Sequence, residues 1–175
     1  MVHIAKGDIT LADSDAIVNA SNTRLLPGAG VCGAIYARAG FQDLVEATKA
    51  FPIPLKVGSA VMTPGFALKA RFILHTAGPV YVDGRHGEEK LLASCYENCV
   101  DLAREKGLKS LVFPLISSGI FGYPKREAIA VALKTLLKKD GKDMALTLIL
   151  YTDEDFALAK KALREEDLAS VLIDN

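Results

Sequence analysis

Hydrophobic positions follow two different periods along the chain. Short apolar runs bounded by glycine or polar residues predict strands at residues 2–6, 16–20, 58–63, 71–76, 110–114 and 145–151. Segments with a helical repeat of apolar residues predict helices at residues 33–40, 41–48, 88–106, 124–139 and 153–164. Strands and helices in this order predict a single α/β domain over residues 1–175, folded as a three-layer α/β/α sandwich.

The composition is that of an ordinary globular domain. Half of the residues are hydrophobic, and 21 basic residues balance 21 acidic ones, so the formal net charge is zero. This balance argues against broad nucleic-acid binding, which needs a basic surface. No apolar stretch reaches the ~18 residues of a membrane span, and the first residues do not resemble a signal peptide. Three cysteines without a disulfide spacing fit a reducing compartment, so we expect a cytoplasmic protein with no membrane partner.

The segment KGDIT at residues 6–10 directly follows the first apolar run. Ligands of open α/β sheets bind at the carboxyl ends of strands. A carboxylate there can accept a hydrogen bond from an exocyclic amine such as that of adenine. Asp8 can instead form an Asx turn with nearby backbone N–H groups, and the dipeptide alone favours the turn.

The second connection is rich in asparagine and glycine. Gly28, Gly30 and Gly33 match the spacing G-x-G-x-x-G of dinucleotide-binding loops. The context does not match, because seven residues (21–27) separate the glycines from the apolar run and no acidic strand residue follows about 20 positions later. The glycines still let backbone N–H groups approach a ligand at the start of a helix. We expect Asn19 to satisfy backbone groups and Asn22 to bind sugar hydroxyls.

The third connection, residues 116–124, joins an apolar run to a predicted helix. Small residues around Gly119 leave N–H groups free to surround a phosphate near the positive end of that helix. No Lys-Ser/Thr pair follows, so this is not a Walker A loop. A tight turn is the alternative, but Ile120 and Phe121 are large apolar residues that indicate contact with a ligand.

Four segments together resemble the macro domain family in order and spacing, over nearly the whole chain: KGDIT, DAIVNASN…LLPGAGVCGAIYARAG, FILHTAGPVY and VFPLISSGIFGYP. The resemblance implies a mixed sheet between helices. It also implies that the ligand is ADP-ribose, free or attached to a protein or to an acetyl group. The extra Cys and His ligands of zinc-containing relatives are missing, and Cys95 and Cys99 fit helix packing. We therefore expect no metal and no cofactor.

The same resemblance implies roles for individual residues. Asp8 corresponds to an adenine-contacting aspartate with Ile9 beside it, and Asn22 to an asparagine that holds the distal ribose. The loops around the pyrophosphate and distal ribose contain Gly28, Gly30, Val31, Cys32, Ser117, Ser118, Gly119, Ile120 and Phe121. Phe121 lies beside that ribose, and Asn22 and Phe121 are the residues implied in catalysis. Phe156 corresponds to an adenine-stacking aromatic, although a core position on the last helix fits it nearly as well.

Two departures matter in the stretch GAGVCGAIY, where many hydrolytic members read G-G-G-V-D-G-A-I-H. Cys32 replaces the acid and Tyr36 the histidine, in a V-C-x-A-[IV]-Y form that resembles some viral macro domains, a branch that includes hydrolases. The G-G-G and Q-E-E signature of poly(ADP-ribose) glycohydrolases is missing, so polymer cleavage is not expected. A catalytic thiolate needs a base or a positive field. No histidine adjoins Cys32 in sequence, which favours a packing or ribose-side role over a nucleophilic one, and His75 is expected to be a strand residue with one partner.

Two functional classes share this binding geometry, and a nicotinamide enzyme is disfavoured by the missing dinucleotide context. The first is a hydrolase of mono-ADP-ribosyl esters on acidic side chains, or of O-acetyl-ADP-ribose, in which the substrate's own phosphate orients the attacking water. The second is a reader that binds ADP-ribose or an ADP-ribosylated protein without turnover. A single domain with no second module favours the enzyme.

Overall fold

The computed structural model describes residues 1–174 of the chain. These residues contain seven strands and five α-helices. The strands are β1 (Val2–Lys6), β2 (Ala16–Ser21), β3 (Ala60–Pro64), β4 (Phe72–Ala77), β5 (Ser110–Phe113), β6 (Ala145–Leu150) and β7 (Leu172–Asp174). The helices are α1 (Gly30–Ala39), α2 (Phe41–Thr48), α3 (Glu88–Glu105), α4 (Lys125–Lys138) and α5 (Asp153–Glu165), with a 3-10 helix at Ile9–Leu11. Within these residues no helix is long and apolar enough to cross a membrane.

All seven strands form one sheet in the order β3-β4-β2-β5-β6-β1-β7. Only the β3–β4 pair is antiparallel, so the sheet is mixed. The predicted α/β sandwich is therefore confirmed. Because the other strands run parallel, their carboxyl ends meet at one edge, and the three connections with unusual composition leave the sheet there.

A core fills the space on each face of the sheet. Successive side chains of β2 show the alternation, because Val18 packs with α3, α4 and α5, whereas Ile17 packs with α1 and α2. In β5, Leu111 and Phe113 join the first core and Val112 the second. Strands buried on both faces are apolar at every position, which explains why short continuous runs located them in the sequence.

The three largest differences from the sequence prediction concern the start of α1, the 3-10 helix and β7. Helix α1 begins at Gly30, three residues early, because its N-cap Ala29 offers no capping side chain that would mark the start. The 3-10 helix is a single turn started by the Asp8 side chain, which is too short to show a period. Strand β7 has three exposed residues that pair only with β1 at the sheet edge, so its sequence carries no burial pattern.

Candidate functional site

Two adjoining cavities open at the carboxyl ends of the parallel strands. The larger, of about 430 Å³, lies beyond β1 and β6, and the smaller, of about 200 Å³, lies beyond β2. Val31, Leu115 and Gly119 line both, so the two glycine-rich loops meet between the cavities. A concave, mostly apolar surface with a few polar groups is typical of a small-molecule site.

Every site residue predicted from the sequence, except Phe156, lines one of these cavities. The larger cavity contains Asp8, Ile9, Gly30, Val31, Ser118 and Gly119. The smaller cavity contains Asn22, Gly28, Val31, Cys32, Ser117, Gly119, Ile120 and Phe121. Gly78, from the segment that follows β4, also lines the smaller cavity. The four segments that are distant in sequence thus meet at one edge of the sheet.

Asp8 lies at the end of β1, where Gly7 N still pairs with Leu150 O of β6 at 3.0 Å. Its Oδ1 accepts hydrogen bonds from Thr10 N at 2.9 Å and Thr10 Oγ1 at 2.7 Å, which is the Asx turn that the sequence left open. Its Oδ2 has no partner within residues 1–174. One carboxylate therefore stabilises the turn and keeps an oxygen available to a donor in the larger cavity.

The loop between β5 and α4 presents a run of unpaired backbone donors. Among the described residues, no acceptor takes the N–H groups of positions 117–121. The loop is closed by bonds from Tyr123 N to Ser117 O at 2.9 Å and from Gly122 N to Gly119 O at 3.0 Å. Across the larger cavity, Gly30 and Val31 form the first turn of α1, where helix N–H groups also lack intrahelical partners. Both loops therefore offer donors suited to an anion.

Asn22 organises the turn between β2 and α1. Its Oδ1 accepts from Arg24 N at 3.0 Å and Leu26 N at 3.1 Å, and its Nδ2 donates to Leu26 O at 2.9 Å. An amide nitrogen carries two N–H donors. The second N–H has no acceptor in residues 1–174, and Asn22 lines the smaller cavity. The side chain therefore uses three hydrogen bonds to hold the loop and retains one N–H donor.

The chain matches the family model described as Macro domain over residues 18–132. The chain belongs to the macro domain family. A macro domain-containing protein of Chlorobaculum tepidum is 43% identical over 166 residues, which cover 93% of this chain and 95% of the relative. A macrodomain mutant of Oceanobacillus iheyensis with ADPR has a TM-score of 0.89 and 36% identity, covering 94% of this chain and 92% of that one. A Trypanosoma brucei macrodomain in complex with ADP-ribose has a TM-score of 0.82 and 34% identity. The match covers 93% of this chain and 68% of that one.

In this macro domain the two departures from the hydrolytic pattern serve the loop that Asn22 organises. Cys32 and Tyr36 are four residues apart on α1 and share a helix face. The Tyr36 hydroxyl donates to Leu25 O at 2.8 Å, and the Cys32 thiol contacts Leu26 O at 3.8 Å. Leu25 has a φ of 55°, a left-handed value that a leucine adopts only when its surroundings hold it. Tyr36 and Cys32 provide that support.

Asn19 does not satisfy backbone groups, and that prediction is wrong. It lies opposite His75 in the β2–β4 register, and its Nδ2 is 3.1 Å from His75 Nδ1 and 3.7 Å from Cys32 Sγ. His75 Nε2 in turn contacts Thr63 Oγ1 at 2.9 Å, so the ring has two partners instead of the expected one. Asn19 and His75 are neighbours in the β2–β4 pair, and Asn19 points to the face of the sheet that α1 covers, where it contacts Cys32.

The contacts of Asn19 and His75 decide whether Cys32 could form a nucleophilic thiolate. Burial raises the pKa of its thiol, and the hydrogen bond from Asn19 opposes that effect only in part. Burial also lowers the pKa of His75 to about 4, and the ring meets Asn19 instead of the sulfur. A thiolate needs an adjacent base or cation. The geometry therefore argues against Cys32 as a nucleophile, in line with the packing or ribose-side role expected from the sequence.

Phe156 does not lie in either cavity, which corrects its assignment as the adenine-stacking aromatic. It lies on α5, packs against the core, and carries the Lys160 ammonium 4.7 Å from its ring centroid. The aromatic residue at the larger cavity is Tyr151, which is 74% exposed and lies directly after β6. Its signal in the sequence is position, because it is the first residue beyond a strand whose carboxyl end faces the site.

Proposed function

We propose that this macro domain binds ADP-ribose across the two cavities. The observation that carries the proposal is that the cavities join where two loops present free backbone donors. The adenosine occupies the larger cavity beside Asp8 and Tyr151, and the distal ribose occupies the smaller cavity beside Asn22 and Phe121. The diphosphate lies between them, at Gly119 and Val31. The ADP-ribose held by the Trypanosoma brucei macrodomain supports this assignment.

Charge supports the placement of the diphosphate. Its negative oxygens need donors, and the start of α1 offers partial positive charge together with unpaired N–H groups. The N–H groups of residues 117–121 lie on the opposite side. A hydrogen bond to a charged acceptor stabilises by about 1.5–3 kcal/mol. These backbone donors remain in place whichever side chains surround them, so the site does not need a lysine or an arginine.

The first testable consequence concerns recognition of the adenine ring. Asp8 Oδ2 is expected to accept a hydrogen bond from the adenine amine, and an inosine analogue of ADP-ribose lacks that donor. Calorimetry should show that the wild type binds ADP-ribose ~10–150-fold more tightly than the inosine analogue, the equivalent of one charged hydrogen bond. Asp8→Asn retains an acceptor oxygen for the turn with Thr10. This variant should show a smaller difference in affinity between ADP-ribose and the inosine analogue. Equal affinity of the wild type for both ligands would contradict the role of Asp8.

We propose further that the domain hydrolyses mono-ADP-ribosyl esters on acidic side chains, or O-acetyl-ADP-ribose. Water attacks either the anomeric carbon of the distal ribose or the ester carbonyl. Among the described residues that line the smaller cavity there is no Asp, Glu or His. The ligand's own phosphate therefore orients the water, while Asn22 and Phe121 fix the ribose. Positioning of this kind can supply several kcal/mol of barrier lowering.

Asn22→Ala is expected to lower kcat about ten- to a hundredfold, or ~1.4–2.7 kcal/mol, and to weaken ligand binding less. The reason is that the free N–H of the amide strengthens its bond to the ribose as the anomeric centre reacts. Release of ADP-ribose from a protein modified on glutamate measures the effect. Cys32→Ala should lower kcat less, since the thiol makes only long contacts, to Asn19 Nδ2 at 3.7 Å and to Leu26 O at 3.8 Å.

Tyr36→Phe is the matched control, because it removes one bond to the same loop without changing a residue that lines the cavity. If Tyr36→Phe lowers kcat as much as Asn22→Ala does, Asn22 acts through the loop and not on the ribose.

A reader function is the alternative, and the absence of an Asp, Glu or His side chain from the described lining of the smaller cavity favours it. A reader binds ADP-ribose but releases none from ester-linked protein or from O-acetyl-ADP-ribose. In that case Asn22→Ala changes affinity only. Wild-type protein that binds ligand and shows no release above background on both substrates would refute the hydrolase and leave the binding proposal standing.

A further inference from the structure

A cluster of three metal-ligating side chains lies in the connection between β4 and α3, outside both cavities. Asp83 Oδ1 is 2.9 Å from His86 Nδ1, and Glu88 Oε1 is 3.6 Å from the same nitrogen. The three ligand atoms all lie within 4.8 Å of one another. Left-handed backbone at Gly84 and Gly87 turns the chain twice over this short stretch, so both carboxylates face one imidazole.

Glu88 is the unusual member of the cluster. The residue is only 2% exposed, although it begins α3 and has a carboxyl side chain. Its Oε2 accepts from His86 N at 3.3 Å, and its Oε1 is buried with no hydrogen-bond partner within residues 1–174. A buried carboxylate oxygen without a donor is costly. This oxygen points toward His86 Nδ1, where a cation between the three groups would satisfy it.

We propose that Asp83, His86 and Glu88 bind a divalent transition-metal ion, for which Zn²⁺ is the probe. One imidazole nitrogen with two carboxylate oxygens suits zinc better than magnesium, which prefers oxygen ligands alone. Ligand distances of about 2.0–2.2 Å in tetrahedral geometry place neighbouring ligand atoms about 3.4 Å apart. The observed separations of 2.9 and 3.6 Å lie on either side of that value. On binding, the imidazole carries its proton on Nε2 and offers Nδ1 to the ion.

Two ligands of the cluster are exposed to solvent and the third is buried. The His86 and Asp83 side chains are 64% and 47% exposed, so an ion can enter and water can complete its coordination. Glu88 provides the fixed, buried ligand. His3 offers a contrast within the same chain, because its Nδ1 lies 3.1 Å from Asp174 Oδ1 without a buried third ligand. The proposal does not depend on ADP-ribose binding.

The test is a Zn²⁺ titration of the full chain, freed of metal with a chelator, in competition with a chromophoric chelator. The wild type should bind one Zn²⁺ per chain. His86→Gln should weaken binding at least about tenfold, since even outer-shell partners of a metal contribute that much. His3→Gln, the matched control, should leave affinity unchanged.

Co²⁺ serves as a second probe, because its visible absorption reports the ligands directly. The wild-type complex should show d–d bands, and Glu88→Gln should lose them while circular dichroism shows an intact fold. No Zn²⁺ binding by the wild type, or equal binding by the wild type and His86→Gln, would overturn the proposal. A loss of binding in His3→Gln as large as that in His86→Gln would also overturn it, since it would place the ion at His3.

Discussion

Replacing Gly119 with glutamate is expected to abolish ADP-ribose binding and to leave the fold intact. Gly119 lines both cavities, at the point assigned to the diphosphate. A Cβ atom at this position meets no protein atom within 4 Å, and the backbone is not in the left-handed region that favours glycine. A glutamate is therefore tolerated sterically and places a carboxylate against the two phosphates. We expect a loss of at least about 100-fold in affinity, or ~2.7 kcal/mol.

Gly119→Ala is the matched control for this experiment, because it adds the Cβ without the charge. Calorimetry should give Gly119→Ala an affinity within about threefold of the wild type, and circular dichroism should show that both variants are folded. Wild-type affinity in folded Gly119→Glu would show that the loop does not hold the diphosphate. Equal losses in both variants would show that space at Gly119, not charge, limits binding.

Acidification from pH 6.5 to pH 4 is expected to destabilise the domain through His75. Burial lowers the pKa of His75 from 6.5 to about 4, so in this interval the unfolded chain takes up a proton that the folded chain does not. The stabilisation is fully present above pH 6.5 and is lost progressively as the pH falls toward 4. The total amounts to about 3 kcal/mol of unfolding free energy.

Urea denaturation at a series of pH values measures this effect, with a chelator present to exclude bound metal. His75→Gln should flatten the dependence between pH 6.5 and pH 4, whereas His86→Gln, at an exposed ring, should retain it. NMR of the imidazole protons provides a measurement that does not depend on a folded variant. A His75 ring that titrates near pH 6.5 in the folded wild type would contradict the prediction.

The fold was predictable because burial on both faces of a sheet leaves a strong signal. Strands β2 and β4 are each buried at five of their six positions, and their bounds differ by at most one residue from the prediction. The sequence did not predict strand β7, because a short exposed edge strand needs no apolar residues. Its existence depends on pairing with β1, a contact distant in sequence.

The site was predictable to the level of loops but not of individual bonds. Asn19 and Asn22 are the same residue type three positions apart, and sequence spacing alone assigned backbone contacts to Asn19. The structure gives the backbone contacts to Asn22 and a buried imidazole to Asn19, because the β2–β4 register decides the neighbour. Tyr151 and Phe156 show the same limit, since Tyr151 lines the larger cavity directly after β6, whereas Phe156, on α5, packs against the core.

The pairing of β1 with β6 sets the order in which the two cavities come into existence during synthesis. The larger cavity needs residues 7–10 from the end of β1 and residues 149–151 from the end of β6. A ribosome adding about 5–20 residues per second takes roughly 7 to 30 s to go from one strand to the other. The smaller cavity draws on residues 20–32, 78 and 115–121, all of which have been synthesised earlier. All residues of the cavity proposed for the distal ribose are thus synthesised before the cavity proposed for the adenosine has its last residues, and only a chain that has passed Tyr151 contains both sets.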